Sequence, residues 1–274
     1  MTASAFVTGL ILMSVALSAV MGLAWGVQQR TKNSGWVDTI WTFGLGSVAV
    51  VLALVPLGTS QPSWRGWIVA AFFVVWALRL GLHIASRTTR ISDDPRYAEL
   101  IRGWGQSAPS QMFWLLQKQA LVSIPLAMSA FVAAYSPDPH LRIQDVLALL
   151  VMLTALGGEA VADRQLRRFR ADASNRGRVC DVGLWRYSRH PNYFFEWLGW
   201  IALPLLAIDI TGNYPWGWLA LAAPACMYWL LVHVSGIPPL EAHMLRSREG
   251  AYRAYQARTS SFFLFPPLAN GRPS

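Results

Sequence analysis

Seven stretches of this chain, at about 4–26, 36–57, 65–85, 111–135, 143–161, 192–209 and 215–236, are almost unbroken runs of apolar residues. About 20 such residues cross a bilayer as a helix. Windows three, five and six are short or carry internal charge, so their edges are the least defined. Charged residues make up only 14% of the chain, against roughly a quarter in soluble domains. The reading is an all-α, polytopic membrane bundle of seven transmembrane helices, one integral domain over 1–274. A basic loop at 162–191 and an amphipathic tail at 237–274 complete it.

The first window has no basic residue before it and no convincing cleavage site after it, so it reads as a helix and not a signal peptide. Lys and Arg in the successive connections, with Arg65 at the edge of the third window counted in the connection before it, number none, two, one, four, one, eight and none, with five in the tail. Alternate connections are therefore basic. The positive-inside rule puts 19 of these charges on the cytoplasmic side and 2 on the other, with the N-terminus outside and the C-terminus cytoplasmic.

The formal charge of +9 is concentrated. Arg164, Arg167, Arg168, Arg170, Arg176, Arg178, Arg186 and Arg189 share one connection, more than orientation requires. Two readings stand: a topology signal that also attracts anionic lipid, and a site for a polyanionic ligand, whose phosphate oxygens match guanidinium forks. Nucleic acid is disfavoured, because the loop adjoins two membrane helices and offers few aromatics for stacking. Cys180 and Cys226 have no metal-ligand spacing, and no metal site is expected. The sequence has no Walker loop and no dinucleotide fingerprint following a strand, so any nucleotide would be bound without a soluble nucleotide-binding fold.

The run from Gly183 to Glu196 joins this loop to the sixth apolar segment through Pro191, a residue suited to the first turn of a helix. The free N–H groups of such an end attract anions. His190 has three readings: a helix cap, a phosphate partner or a proton donor. Asn192 lies one turn before Glu196 and reads either as a polar cap or as a partner for an amide such as a carboxamide. Residues 241–255 read as an amphipathic surface helix whose Arg and Tyr residues close the site from below.

Ionisable groups at membrane depth are costly and are functional candidates. Asp38 opens the second segment beside Trp36 and Trp41. Trp76, Arg79, His83 and Arg87 recur at spacings of three and four, on one helical face; Arg79 and His83 either line a cavity or form a structural set that snorkels or bonds Asp38. Trp36, Trp41, Trp64 and Trp67 suit an interfacial belt. The connection Ser86–Glu99 reads as a solvated loop or as a lid. Glu159, Asp163, Arg167 and Arg170 share a face, as on a helix that leaves the membrane still wound; acid–base pairs there would add a few tenths of a kcal/mol each.

On these residues the chain resembles the membrane steroid 5α-reductase family, in particular its bacterial branch. The likeness is specific from Glu159 to Glu196 and in the tail. It implies a seven-helix protein of a bacterial inner membrane, and it implies NADPH as cofactor. Glu159 and Asp163 would lie on the adenosine side, Arg167, Arg170 and Arg178 on the phosphates, with Arg189 and His190 beside them. Asn192 would lie near the nicotinamide, and Tyr193, Glu196, Glu241 and Tyr252 would complete the pocket. The family's Gln-Glu pair is missing from the second helix, and Trp76 stands where the family has a carbonyl-polarising Tyr. Glu241 and Leu245 replace a His and a Tyr of its cofactor pocket.

The resemblance thus implies reduction of a carbon–carbon double bond in a lipid or steroid-like enone. The polarising or proton-donating group is sought among Asp38, Trp76, Arg79, His83 and Tyr187. Similarity of the Arg-His-Pro-Asn-Tyr piece and the tail to isoprenylcysteine and phospholipid methyltransferases gives the alternative, an S-adenosylmethionine enzyme. Arginines weigh against it, since that cofactor carries no phosphate and its sulfonium gains nothing from guanidinium charge. A non-enzymatic membrane protein would explain the topology and leave Asn192, Glu196, Arg79 and His83 without a role.

Overall fold

The computed structural model describes residues 1–57, 62–90 and 92–268; Ile91, in the expected loop, and the last six residues of the expected tail lie outside them. The described residues are helical, with no strand and a single bridge between Ser188 and Ser260. The helices are α1 (Ala3–Thr31), α2 (Gly35–Leu54), α3 (Trp64–Thr88), α4 (Pro95–Trp104), α5 (Ala108–Ala134), α6 (Ile143–Ala171), α7 (Pro191–Ala207), α8 (Ala222–Trp229) and α9 (Ile237–Gln256).

Their starts are written locally. The Thr2 hydroxyl accepts from Ala5 N–H at 3.2 Å, Ser63 does the same for Gly66 at 3.1 Å, and the Asp94 carboxylate caps α4 at 3.0 Å with Pro95 in its first turn. Each satisfies a donor that the helix itself leaves unpaired.

Among the described residues, six stretches are long and apolar enough to cross a membrane: α1, α2, α3, Pro95–Ala134, α6 and Pro215–Gln256. This is a multi-pass membrane protein whose apolar faces meet lipid. The sixth window coincides with α7, 17 residues long, or roughly 25 Å at the helical rise. The seventh window is not one regular helix: a 3₁₀ stretch (Pro215–Leu221) leads into α8, which widens into a π-helical turn (Leu230–Val234). The 86–99 connection is shorter than expected, and Ser86, Arg87, Thr89, Arg90 and Ser92 are exposed, as in a solvated segment. Ser86–Thr88 finish α3, and Pro95–Glu99 begin α4, because Asp94-Pro95 is a helix start.

The chain divides into two compact units: Met1–Asp145 with Leu203–Ala223, and Val146–Ala202 with Pro224–Ser274. In the first, α2 packs on α3 and α1 on α5. Close approach needs small residues, as is usual where lipid removes any hydrophobic drive between helices. A Cβ on Gly46 would sit 2.6 Å from that of Ala77, and one on Gly66 would sit 2.6 Å from the Ala53 carbonyl oxygen.

The strongest polar tie of the first unit is fully buried. Arg65, at the start of α3, donates to both oxygens of Asp145 at 2.9 and 2.6 Å, and neither side chain is exposed at all. Arg142 donates to the same carboxylate from its backbone, Nε and Nη2 at 2.8, 3.2 and 3.0 Å. Further guanidinium hydrogens go to the carbonyls of Asp138, His140, Leu206 and Ile208. Burying one carboxylate between two guanidiniums is tolerable only when hydrogen bonds satisfy the ions in this way.

Asp145→Asn would leave two buried guanidiniums without their anion and should cost about 3–5 kcal/mol. Asp209→Asn, on an exposed turn, should cost under about 1 kcal/mol. Denaturant unfolding in detergent compares the two, and equal losses would show that the buried tie is not structural.

Candidate functional site

Each unit carries one of the expected clusters. In the second, α6 winds without a break to Ala171 and presents Glu159, Asp163, Arg167 and Arg170 at spacings of four, four and three. The two acids are buried, at 5% and 7% exposure, whereas Arg167, Arg168 and Arg170 are exposed. The loop then folds back on the helix. Gln165 Oε1 accepts Leu184 N–H at 2.9 Å, and the Trp185 indole donates to the Ala162 carbonyl at 3.0 Å. Gly183 (φ 59°) turns the chain there, in a region where L side chains are strained.

α7 begins at Pro191. In its first turn the Asn192 amide donates to Asp163 Oδ1 at 3.5 Å. One turn on, buried Glu196 accepts from the Trp200 indole at 3.0 Å. The structure therefore joins Asp163 to Asn192, two residues that the resemblance assigns to opposite ends of a cofactor.

Arg189, His190 and Glu241 also come together. Glu241 Oε1 accepts from Arg189 Nε at 2.7 Å and lies 3.1 Å from His190 Nε2; Oε2 accepts from Gln256 at 2.7 Å. Arg189 further donates to the carbonyls of Gln256 and Thr259 at 3.3 and 2.5 Å. Its charge is thus engaged by the tail. The His190 ring stacks on Tyr193 with centroids 5.5 Å apart, and its buried Nδ1 has no hydrogen-bond partner among the described residues.

The tail does more than cover this side. Arg189 N–H donates to the Ser260 carbonyl at 2.8 Å and Phe265 N–H to that of Tyr187 at 3.1 Å. Tyr255 donates to the Trp185 carbonyl, and Phe262 and Phe263 pack against Phe194, Trp197 and Tyr228. Tyr252 is buried and Tyr187 exposed. The amphipathic helix expected at 241–255 is α9, broken at Arg248 by non-helical dihedrals.

Burial pushes the His190 imidazole below its ordinary value; the hydrogen bond and charge of Glu241 oppose this, and Arg189 adds to it. A folded pKa below the unfolded value means that the native state resists protonation. The associated stability is whole above pH 6.5, the ordinary value, and is lost as pH falls below it toward the folded pKa.

In the first unit Asp38 is bound by elements that its sequence neighbourhood does not suggest. Its Oδ2 accepts from Arg96 Nη2 at 2.5 Å, and its Oδ1 from the Tyr97 hydroxyl at 3.3 Å. Gln119 on α5 donates to that same hydroxyl at 3.0 Å. Arg96 turns back onto Asp94 with two further contacts of 3.0 Å. Burial alone would raise the Asp94 carboxyl; the hydrogen bonds and charge of Arg96, with the charge of Arg87, overcome it and hold the group below its usual range.

Trp76 is buried edge-on against Trp41 and Phe73, and the Trp41 indole donates to Ser123 at 2.7 Å. Arg79 and His83 follow on the same helix, each part-exposed. The residues that sequence reasoning passed over here are Arg96, Tyr97 and Gln119. Asp94-Pro95, as a helix start, carried the one local signal that would place Arg96 and Tyr97 on an ordered turn.

The class these features define is an all-helical, multi-pass membrane protein with a carboxylate–amide pair where α6 meets α7 and arginines beyond it. The family described as protein of unknown function DUF1295 matches residues 24–259, and the chain belongs to it. It is also similar to an uncharacterized protein of Schizosaccharomyces pombe, 27% identical over 285 residues that cover 94% of this chain and 79% of the relative. No solved structure matches.

Two measurements test these clusters. The melting temperature should fall between pH 7 and pH 5.5, and His190→Gln should flatten that slope; an unchanged slope would assign the acid sensitivity elsewhere. Tyr97→Phe removes a hydroxyl that serves both Asp38 and Gln119 and should cost about 1–2 kcal/mol. A loss below about 0.3 kcal/mol, small for a surface substitution, would show that the bridge contributes nothing.

Proposed function

We propose that this protein is an NADPH-dependent membrane reductase of the steroid 5α-reductase type. Its substrate is a lipid or steroid-like enone, reduced at a carbon–carbon double bond. It crosses the membrane seven times, α7 included, with its N-terminus outside and its C-terminus in the cytoplasm, as the alternation of basic connections supports.

The observation that carries the reading is the Asp163–Asn192 contact, continued along the same face of α6 by the exposed Arg167 and Arg170. A buried carboxylate–amide pair followed by guanidiniums one and two turns further suits a ligand that has hydroxyl or amide groups at one end and phosphates beyond. Because Asp163 and Asn192 touch, the reading gives them jointly to one end of the cofactor. The unpartnered Nδ1 of buried His190 is a further polar atom that a ligand would satisfy.

When bound, NADPH supplies a hydride. Arg167, Arg170 and Arg178 would hold its phosphates, while Arg189 positions the loop by gripping Glu241 and two tail carbonyls. Trp76 offers no acidic O–H, and the reading keeps Asp38, Arg79, His83 and Tyr187 as candidates for the polarising or proton-donating group. An indole N–H is far too weak an acid to polarise a carbonyl, whereas a phenol serves as a general acid.

Thermal stabilisation of the detergent-purified protein by NADPH, NADH and S-adenosylmethionine tests the reading, since a ligand bound by the native state alone must raise its melting temperature. NADPH should give the largest shift, and Arg170→Ala should reduce it. Stabilisation by S-adenosylmethionine without NADPH would replace the reductase by a methyltransferase, and no response to any of them would favour a non-enzymatic protein.

A further inference from the structure

Beside the predicted arginines of α6, the second unit holds a groove of about 400 Å³ lined by Gln165, Arg168, Phe169, Asn175, Arg178 and Asp181. Arg168 and Arg178 both belong to the basic loop, but of the two only Arg178 is among the phosphate contacts that the family resemblance implies. We propose that this groove is a phosphate-ester site in which Arg168 and Arg178 grip the phosphate.

The groove presents donors whose competing acceptors are already occupied. Arg168 makes no ion pair among the described residues. Arg178 makes only a 3.4 Å contact, to Asn175 Oδ1, and Asn175 is itself anchored by donating to the Phe169 carbonyl at 3.1 Å. The nearby carboxylates are spent: Asp181 accepts from Arg258 at 2.5 Å, and Asp172 accepts the backbone N–H and hydroxyl of Ser174 at 2.9 and 2.7 Å. Gln165 has given its carbonyl oxygen to Leu184 N–H, and its amide nitrogen has no partner among the described residues. Two guanidiniums and an amide N–H₂ therefore line one concavity whose acid, Asp181, is paired with Arg258; the charge of Asp172 reaches Arg178, but its carboxylate is held by Ser174.

A tetrahedral dianion or diester oxygen pair is the chemistry that such a set recognises, with guanidinium forks bonding two oxygens each. Phe169 and the half-exposed Val182 add an apolar wall for whatever the phosphate is attached to. The positive-inside rule accounts for a basic loop at this place in the chain. It does not account for two of them sharing a groove while the neighbouring acids turn elsewhere. A volume of about 400 Å³ exceeds a bare phosphate and falls in the range of small-ligand sites.

Two sources supply this chemistry: a phosphate of the dinucleotide in the proposed function, and the headgroup of an anionic phospholipid of the inner leaflet. The inference rests on the reductase reading only for the first. The full-length protein, purified in a neutral detergent, is titrated separately with NADPH and with dihexanoyl phosphatidylglycerol, following the melting temperature. The variants are Arg168→Gln, Arg178→Gln and Arg176→Gln, the last an exposed arginine outside the groove; unliganded melting temperatures check that each is folded.

At least one ligand should stabilise the wild type, and Arg168→Gln and Arg178→Gln should each weaken it about tenfold, as expected for a lost charge-assisted bond. Arg176→Gln should change it less than about twofold, the scale of general screening at an exposed charge. Binding by neither ligand, or equal losses in all three variants, would overturn the site. NADPH binding that is insensitive to Arg168 would overturn the groove and leave the reductase standing. Lipid binding that depends on Arg168, with no response to NADPH, would keep the groove and remove the reductase.

Discussion

The carboxylate of Asp145, sealed between Arg65 and Arg142, is the constraint on which the first unit depends. In a bundle bathed in lipid, apolar side chains are satisfied equally well by acyl chains and by one another, so apolar contact alone sets no register. A buried ion set does. It fixes the start of α3 against the connection before α6, and through the carbonyls of Leu206 and Ile208 it holds the end of α7. With those ends located, the close α2–α3 approach at Gly46 and Gly66 follows as packing. The set carries one net positive charge, and that excess is spread over four backbone carbonyls.

Much of the architecture was legible because it is local. The apolar windows, the helical start at Pro191 and the continuous winding from Glu159 through Arg170 all depend on residues within a turn or two of one another. The polar pairings were not legible. Arg65 and Asp145 stand 80 positions apart and Asp38 and Arg96 stand 58 apart; nothing in a linear pattern distinguishes an arginine that orients a loop from one that closes a buried ion pair. The burial of Asp94 before α4 escaped notice for a subtler reason. The charge and turn residues of that connection look solvated, yet Asp94 is buried because Arg96 and Arg87 neutralise it.

The candidate site was legible in composition and not in contact. The sequence singled out Asp163 and Asn192 correctly as polar residues at the foot of two apolar segments, but not as partners of each other. It singled out Arg189, His190 and Glu241 as ligand-facing, whereas the structure shows two of them joined through the third. Arg168 was marked only as one of eight loop arginines. Its distinction lies in what its neighbours have done with their own charges, and only coordinates reveal that.

The clasp between the loop and the tail has a consequence for biosynthesis. Residues 183–190 leave the ribosome some 50 to 80 residues ahead of Glu241, Tyr255, Ser260 and Phe265, the groups that hold them. At roughly 5–20 residues per second, the loop passes several seconds without its anchors while α7 and α8 are being made. The apolar segments can enter the bilayer one at a time, each with its backbone satisfied within itself. The loop cannot take its final shape in the same piecewise way. Assembly of this protein therefore has two clocks: helices settle as they emerge, and the face around His190 waits for the tail to arrive.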